Sequence, residues 1–226
     1  ACAVLGVVEP QSTGIGGDCF ALYAPKGRIP PIAINGSGRA PQAASVESLL
    51  GLGLDEIEYQ SPHAVTVPGA VDAWSRLLSD HGSKGFAELL QPAIHLAENG
   101  YVVSPRVAMD WAANEDKLAD CPNARRIFLT DGAAPAAGDI HRQPQLAKSL
   151  MAIARDGRDA FYQGAIGADI VAHLGSLGSL MTAEDMAGYR AQYVEPIKTN
   201  YRGYEIFECP PNGQGIVALI MLNILQ

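Results

Sequence analysis

Charged side chains, aromatic rings and long apolar runs are all scarce in this chain of 226 residues. Charged residues make up 18% and aromatics 7% of it, while 48% is hydrophobic, so a chain held open by like charge is excluded and a packed core is expected. Basic residues are the scarcer sign: 16 Lys and Arg stand against 24 Asp and Glu, a net charge of −8. No local cluster of Lys or Arg offsets this balance, which argues against nucleic acid as a partner. No apolar run is long enough to span a bilayer, and no basic segment precedes the apolar Ala1–Val8, so neither a membrane segment nor a signal peptide is read. The apolar ends, Ala1–Val8 and Ile216–Gln226, instead suggest a piece of a longer polypeptide.

Other absences exclude chemistry. Cys2, Cys19, Cys121 and Cys209 lie too far apart in sequence for a zinc knuckle or a redox CxxC, and are expected as buried thiols acting as small hydrophobes. His63, His81, His95, His141 and His173 form no i, i+4 pair and no HExxH; each is expected to be solvated or satisfied in the core, with no metal. No serine stands in GxSxG, since Gly36-Ser37-Gly38 and Gly82-Ser83-Lys84-Gly85 have the wrong spacing. The Asp55-Glu56-Ile57-Glu58 run reads as a solvated acidic stretch. Gly14-Ile15-Gly16-Gly17 lacks the Lys-Ser or Lys-Thr of a P-loop and the third glycine of a dinucleotide fingerprint, and Asp18 after it repels phosphate. That turn is expected to let two backbones approach closely.

What is present is a mixed α+β pattern, with strands near both ends and helices between. Cys19–Tyr23 reads as a strand, turned at Pro25-Lys26-Gly27 and returning over Ile29–Ile34. Helices are expected over Val71–Ser79, over Ala87–Asn99 stopped by Gly100, from Ser104-Pro105, from Pro144 to Gly157, through Ile166, Ile170 and Leu174 with Gly175 as cap, and from the capping box at Thr182. Ile197–Tyr201, Arg202-Gly203 and Tyr204–Cys209 form a hairpin pattern. Gly215–Leu225 is apolar on every side and is expected to be buried against other elements. One loop stands out chemically: Asn35-Gly36-Ser37-Gly38-Arg39-Ala40-Pro41 presents one Arg among small residues, suited to holding a carboxylate through two parallel hydrogen bonds.

Taken together, the motifs resemble the large subunit of the γ-glutamyltranspeptidases. The matching segments include Val8-Glu9-Pro10-Gln11-Ser12-Thr13-Gly14-Ile15-Gly16-Gly17, Ala40-Pro41, Val65-Thr66-Val67-Pro68-Gly69-Ala70-Val71 and Pro92 through Ser104. Phe161-Tyr162-Gln163-Gly164, Leu180 through Asp185, Tyr189, Pro196, Tyr201-Arg202-Gly203-Tyr204 and Pro210-Pro211-Asn212-Gly213-Gln214-Gly215 complete them, in the family's order over nearly the full chain.

The resemblance implies the helix-rich large-subunit portion of an αββα N-terminal nucleophile hydrolase, with residues 1–226 a single partial domain truncated at both ends. It implies an autoprocessing zymogen, a partner small subunit from the same precursor, and a Thr nucleophile downstream of Gln226 whose own amine is the base. That Thr attacks a γ-glutamyl amide such as glutathione and passes the acyl group to water, an amino acid or a peptide, without metal or organic cofactor. This portion alone is then inactive. Many members of the family carry, three positions before Ala-Pro, an Arg that grips the substrate α-carboxylate; here that place is Ser37. Arg39 lies two positions on, roughly 7 Å along an extended loop with its side chain returning to the same side, and is the candidate substitute. A cephalosporin- or glutaryl-acylase-like amidohydrolase is the alternative, and a non-catalytic homologue used as a binding module the second. Periplasmic, extracellular and cytoplasmic locations all stay open.

Overall fold

The computed structural model describes residues 1–226. Its helices are α1 (Cys2–Val8), α2 (Val46–Gly51), α3 (Ala70–His81), α4 (Phe86–Leu89), α5 (Gln91–Asn99), α6 (Pro105–Ala112), α7 (Glu115–Asp120), α8 (Pro122–Phe128), α9 (Pro144–Asp156), α10 (Arg158–Tyr162), α11 (Ala165–Ser176), α12 (Ala183–Gly188) and α13 (Gly215–Ile224). The strands are β1 (Cys19–Tyr23), β2 (Ile32–Gly36), β3 (Tyr101–Val102), β4 (Ile140–His141), β5 (Gln192–Val194), β6 (Ile197–Tyr201) and β7 (Tyr204–Glu208). They fall into two compact units, one of Ala1–Ile15 with Lys84–Gly157, the other of Gly16–Ser83 with Arg158–Gln226.

In the first unit α5 packs on α9 through small and branched side chains at helical spacing, Ala93, Ile94 and Ala97 against Ala147, Leu150 and Ile153. Gln143 fastens this pair to α1: its backbone N–H donates to Ala97 O at 2.8 Å and its side-chain amide to Val7 O at 2.9 Å. The helix expected over Ala87–Asn99 is divided at Leu90, where α4 ends and α5 begins. Pro92 has no N–H to give to Glu88 O and its ring crowds that carbonyl, so one continuous helix cannot form there. Gly100 at φ 99° and Gly157 at φ 71° end α5 and α9, and Ser104 Oγ caps α6, as the sequence predicts.

Behind the β3–β4 ladder lies an aromatic cluster in which the His141 ring sits 4.8 Å from Trp111 and 5.8 Å from Tyr101, with Phe128 stacked at 6.3 Å. His141 is 8% exposed and its Nε2 has no hydrogen-bond partner, so the expectation of a solvated or satisfied histidine fails here. The rings of Trp111, Tyr101 and Phe128 fill the space around it, and none places an acceptor within hydrogen-bond distance of Nε2.

The second unit is built on an antiparallel sheet in the order β1-β2-β5, with Ile34 opposite Ala21 and Tyr193. Central β2 contributes Ala33 and Ile34 to the core, and Ile34 packs with Ala73 of α3 and Ala191. The β6–β7 hairpin forms as expected, with Arg202 at φ 51° and Gly203 at φ 87° in its turn. Helix α11 runs one residue past Gly175 and closes at Gly178, φ 93°.

Within these residues helix α13 packs on the β6–β7 hairpin and buries only Leu219, leaving Ile216, Val217, Ile220, Met221 and Ile224 exposed, because a two-stranded hairpin covers one stripe of a helix and no more. The expectation for the cysteines is corrected. None of the cysteines is fully buried: Cys2 and Cys121 are exposed at helix starts, and Cys19 and Cys209 are half-buried.

At the centre of the second unit Asp72, 3% exposed, receives Arg158 Nε on Oδ1 and the Ala191 N–H on Oδ2 at 2.6 Å. Arg158 also donates to Tyr189 O at 2.7 Å and lies over the Tyr162 ring, 4.4 Å from its centroid. The Tyr162 hydroxyl donates to Pro68 O at 2.6 Å and accepts from the Asp72 N–H at 3.1 Å.

Replacing Arg158 by Met strands a buried carboxylate, and urea denaturation is expected to show a loss of about 3–5 kcal/mol, partly recovered in the double variant with Asp72→Asn. In the first unit, burial depresses the His141 pKa below its ordinary 6.5. The folded state therefore disfavours the proton. Its contribution to stability is present above the unfolded value and is lost as pH falls through the lowered folded one. Thermal unfolding at pH 7 and pH 5 is expected to show an acid-induced drop that His141→Phe reduces.

Candidate functional site

The loop that follows β2 is held mainly by backbone. Ser37–Arg39 runs so close to Thr66–Gly69 that a Cβ at Gly38 would lie 1.9 Å from Val67 O, and one at Gly69 would lie 1.9 Å from Gly36 O. The Val67 N–H donates to Arg39 O at 3.0 Å, and the N–H groups of Gly69 and Ala70 both donate to Gly17 O, at 3.0 and 2.9 Å. Glycine is required at these contacts because the chains approach closer than any side chain permits. Tyr189, 4% exposed, completes the support by donating its hydroxyl to Ser37 O at 3.0 Å.

Four polar side chains from three separate segments meet on this loop. Asp18 accepts the Ser37 hydroxyl on Oδ2 at 3.1 Å and the Gly38 N–H on Oδ1 at 3.0 Å. Asn35 Oδ1 accepts the Ser37 N–H at 2.9 Å, Asn35 Nδ2 donates to Asn212 Oδ1 at 2.9 Å, and Asn212 Nδ2 reaches Ser37 Oγ at 3.3 Å. Arg39 is exposed, and its guanidinium enters no ion pair. The Tyr189 hydroxyl is pushed up to about 12, chiefly by burial, with smaller contributions that raise it from the charges of Asp72 and Asp18 and one that lowers it from Arg39.

Of the residues singled out in the sequence, the structure brings Ser37 into this cluster and sets Arg39 beside it. Asp18, Asn35, Asn212 and Tyr189 were not assigned to a site, although Asn35-Gly36 and Pro210-Pro211-Asn212-Gly213 are visible as turn signals. At the glycine turn, a Cβ on Gly14 or Gly16 meets nothing within 4 Å, whereas one on Gly6 would sit 3.3 Å from Gly14 Cα. The close approach therefore exists, with Gly6 as the residue facing it. No group of three or more His, Cys, Asp or Glu converges as metal ligands, and no helix is long and apolar enough to cross a membrane.

Gly38→Ala is expected to lower stability by about 1–3 kcal/mol through the collision with Val67 O. Gly51→Ala, where a Cβ meets nothing within 4 Å, is the matched control and should stay within about 0.5 kcal/mol of the parent. Equal effects in chemical denaturation would refute the rigid-loop geometry.

Comparison with known proteins gives this geometry its context. Residues 1–226 match the family described as Gamma-glutamyltranspeptidase. The chain is 38% identical over 230 residues to the Glutathione hydrolase-like YwrD proenzyme of Bacillus subtilis, covering 99% of this chain and 42% of that protein. Among solved structures, a cephalosporin acylase from Bacillus halodurans superposes with a TM-score of 0.91 at 40% identity, over 99% of this chain and 43% of the other. The γ-glutamyltranspeptidase of Helicobacter pylori superposes with a TM-score of 0.90 at 30% identity, over 99% and 65%. The chain spans about two fifths of the length of the curated relatives it matches. Its fold is the mixed α+β fold of these N-terminal nucleophile hydrolases, and by this full-length match the chain belongs to the γ-glutamyltranspeptidase family.

Proposed function

We propose that residues 1–226 are the large-subunit portion of a self-cleaving precursor whose product hydrolyses γ-glutamyl amides such as glutathione, or transfers the γ-glutamyl group to an amino acid or peptide. The observation that carries this reading is the family match over the whole chain, with glutathione hydrolases among the relatives. In this reading residues 1–226 form one partial domain, completed by a small subunit cut from the same precursor.

The chemistry then divides between the two parts. A Thr exposed at the new N-terminus of the small subunit attacks the γ-carbonyl, with its own α-amine taking the hydroxyl proton. The tetrahedral oxyanion is met by backbone N–H donors, and collapse releases the amine and leaves an acyl-enzyme that water or an amine acceptor resolves. The present chain supplies part of the acyl subsite. Its loop after β2 presents Ser37 and Arg39, and the uncommitted Arg39 guanidinium is the group proposed to hold the substrate carboxylate through two charge-assisted hydrogen bonds.

A second reading is an acylase of the cephalosporin or glutaryl type. It is favoured by the 40% identity to a cephalosporin acylase and by the hydroxyl of Ser37 standing on this loop where many members of the family place a guanidinium.

Both readings are tested on the full-length precursor. Self-cleavage into two fragments is expected, followed by release of p-nitroaniline from γ-glutamyl-p-nitroanilide. Arg39→Ala is expected to raise KM for that substrate by about tenfold or more, the size of a lost charge-assisted contact, with kcat less affected. Turnover of glutaryl-p-nitroanilide alone would select the acylase reading, and a precursor that neither cleaves itself nor turns over either amide would overturn both.

A further inference from the structure

We propose that the first unit carries a binding site for a small organic phosphate monoester, in the cavity lined by α8, by the start of α9 and by the turn after α1. The cavity has a volume of about 370 Å³, within the range of small-molecule sites. Every residue that lines it belongs to the unit of Ala1–Ile15 and Lys84–Gly157. The inference is independent of how the loop after β2 is read.

Two arginines and no carboxylate line this cavity. The guanidinium of Arg126, in the last turn of α8, makes no hydrogen bond or ion pair. Arg142, between β4 and α9, donates Nε to Asn99 O at 3.1 Å, which leaves its two terminal nitrogens uncommitted. In a chain with a net charge of −8, two arginines that share a cavity without an acidic partner form a local exception to the balance of charge. A guanidinium offers parallel N–H donors whose spacing matches two oxygens of a phosphate, and the pair of them matches its double charge.

Backbone donors are available at the same cavity. Helix α9 starts at Pro144 without a side-chain cap, and the N–H groups of Gln145 and Leu146 in its first turn find no acceptor, while both residues are part of the lining. The positive end of the helix thus adds to the two arginines. Ile15, Ile127, Phe128 and Leu146 make the apolar part of the wall, which suits a compact apolar body and gives a bare inorganic anion nothing to hold. Gly6 and Gly14 also line the cavity, and they pass so closely that a Cβ on Gly6 would lie 3.3 Å from Gly14 Cα. Asp18, which in the sequence argued against phosphate at the glycine turn, is committed to Ser37 and Gly38 and is not part of this lining.

The test titrates three probes into the full-length protein by calorimetry: phenyl phosphate, inorganic phosphate, which lacks the apolar body, and benzoate, which carries a single charge. One phenyl phosphate is expected to bind per chain, more tightly than either of the others. Arg126→Gln and Arg142→Gln are each expected to weaken it by about tenfold, the scale of one lost charge-assisted contact. Arg155→Gln removes the same charge from an exposed pair with Asp156 at the far end of α9, and should leave the affinity unchanged. A second readout uses the parent protein alone and so does not depend on how any variant folds: phenyl phosphate is expected to protect Arg126 and Arg142 from modification by phenylglyoxal, read by mass spectrometry, and to leave Arg155 reactive. A parent that does not bind phenyl phosphate, or binds it without protecting either arginine, would overturn the inference. Equal weakening by Arg155→Gln would reduce the effect to general charge and overturn it as well. Benzoate or inorganic phosphate bound as tightly as phenyl phosphate would overturn the assignment of a phosphate monoester.

Discussion

A buried carboxylate in the first turn of helix α3 sets the terms for the unit that carries the candidate site. Asp72 is stable there because Arg158 meets its charge on one oxygen and the Ala191 N–H fills the other, while its own backbone N–H donates to the Tyr162 hydroxyl. The same interaction fixes the positions of its partners. Arg158 fixes the Tyr189 carbonyl, the Ala191 bond delivers the chain into β5 beside β2, and Tyr162 ties α10 to the Pro68 turn before α3. One ion pair thereby connects the helix, the sheet and the turn that the loop after β2 rests upon.

Function enters through what this framework leaves exposed. The framework holds Tyr189, Tyr189 holds Ser37 O, and glycines at 38 and 69 allow backbone to pack on backbone. The outer side of the loop can then present Arg39 uncommitted. Preorganisation of this kind favours binding because few side chains must be ordered when a ligand arrives. The arrangement also shows why a Ser at position 37 does not leave the loop blank: Asp18 and Asn212 convert its hydroxyl into one member of a fixed network.

Much of this was legible in the sequence where the controlling interactions are local. The Thr182 capping box, the Ser104-Pro105 start, the Gly100 and Gly157 stops and the Arg202-Gly203 turn each depend on a few adjacent residues, and each forms as read. Strand β5 was not legible, because three residues with no alternation acquire strand geometry only by pairing with Ala33–Asn35 far away in the chain. The helix α2 start was missed for a different reason: Ser48 serves at the position where Glu or Gln usually completes a capping box. The residues of the site divide in the same way. Ser37 and Arg39 lie in one loop and were found, whereas Asp18 and Asn212 reach it from distant segments, and only the fold brings them there.

The central claim is that the loop after β2, which carries the exposed Arg39, receives the carboxylate of the acyl group. The most direct measurement is a crystal structure of the full-length, self-cleaved protein with glutamate bound. The account predicts the α-carboxylate within hydrogen-bond distance of the Arg39 guanidinium. Glutamate bound with its α-carboxylate on Ser37 and away from Arg39, or bound clear of this loop altogether, would contradict it.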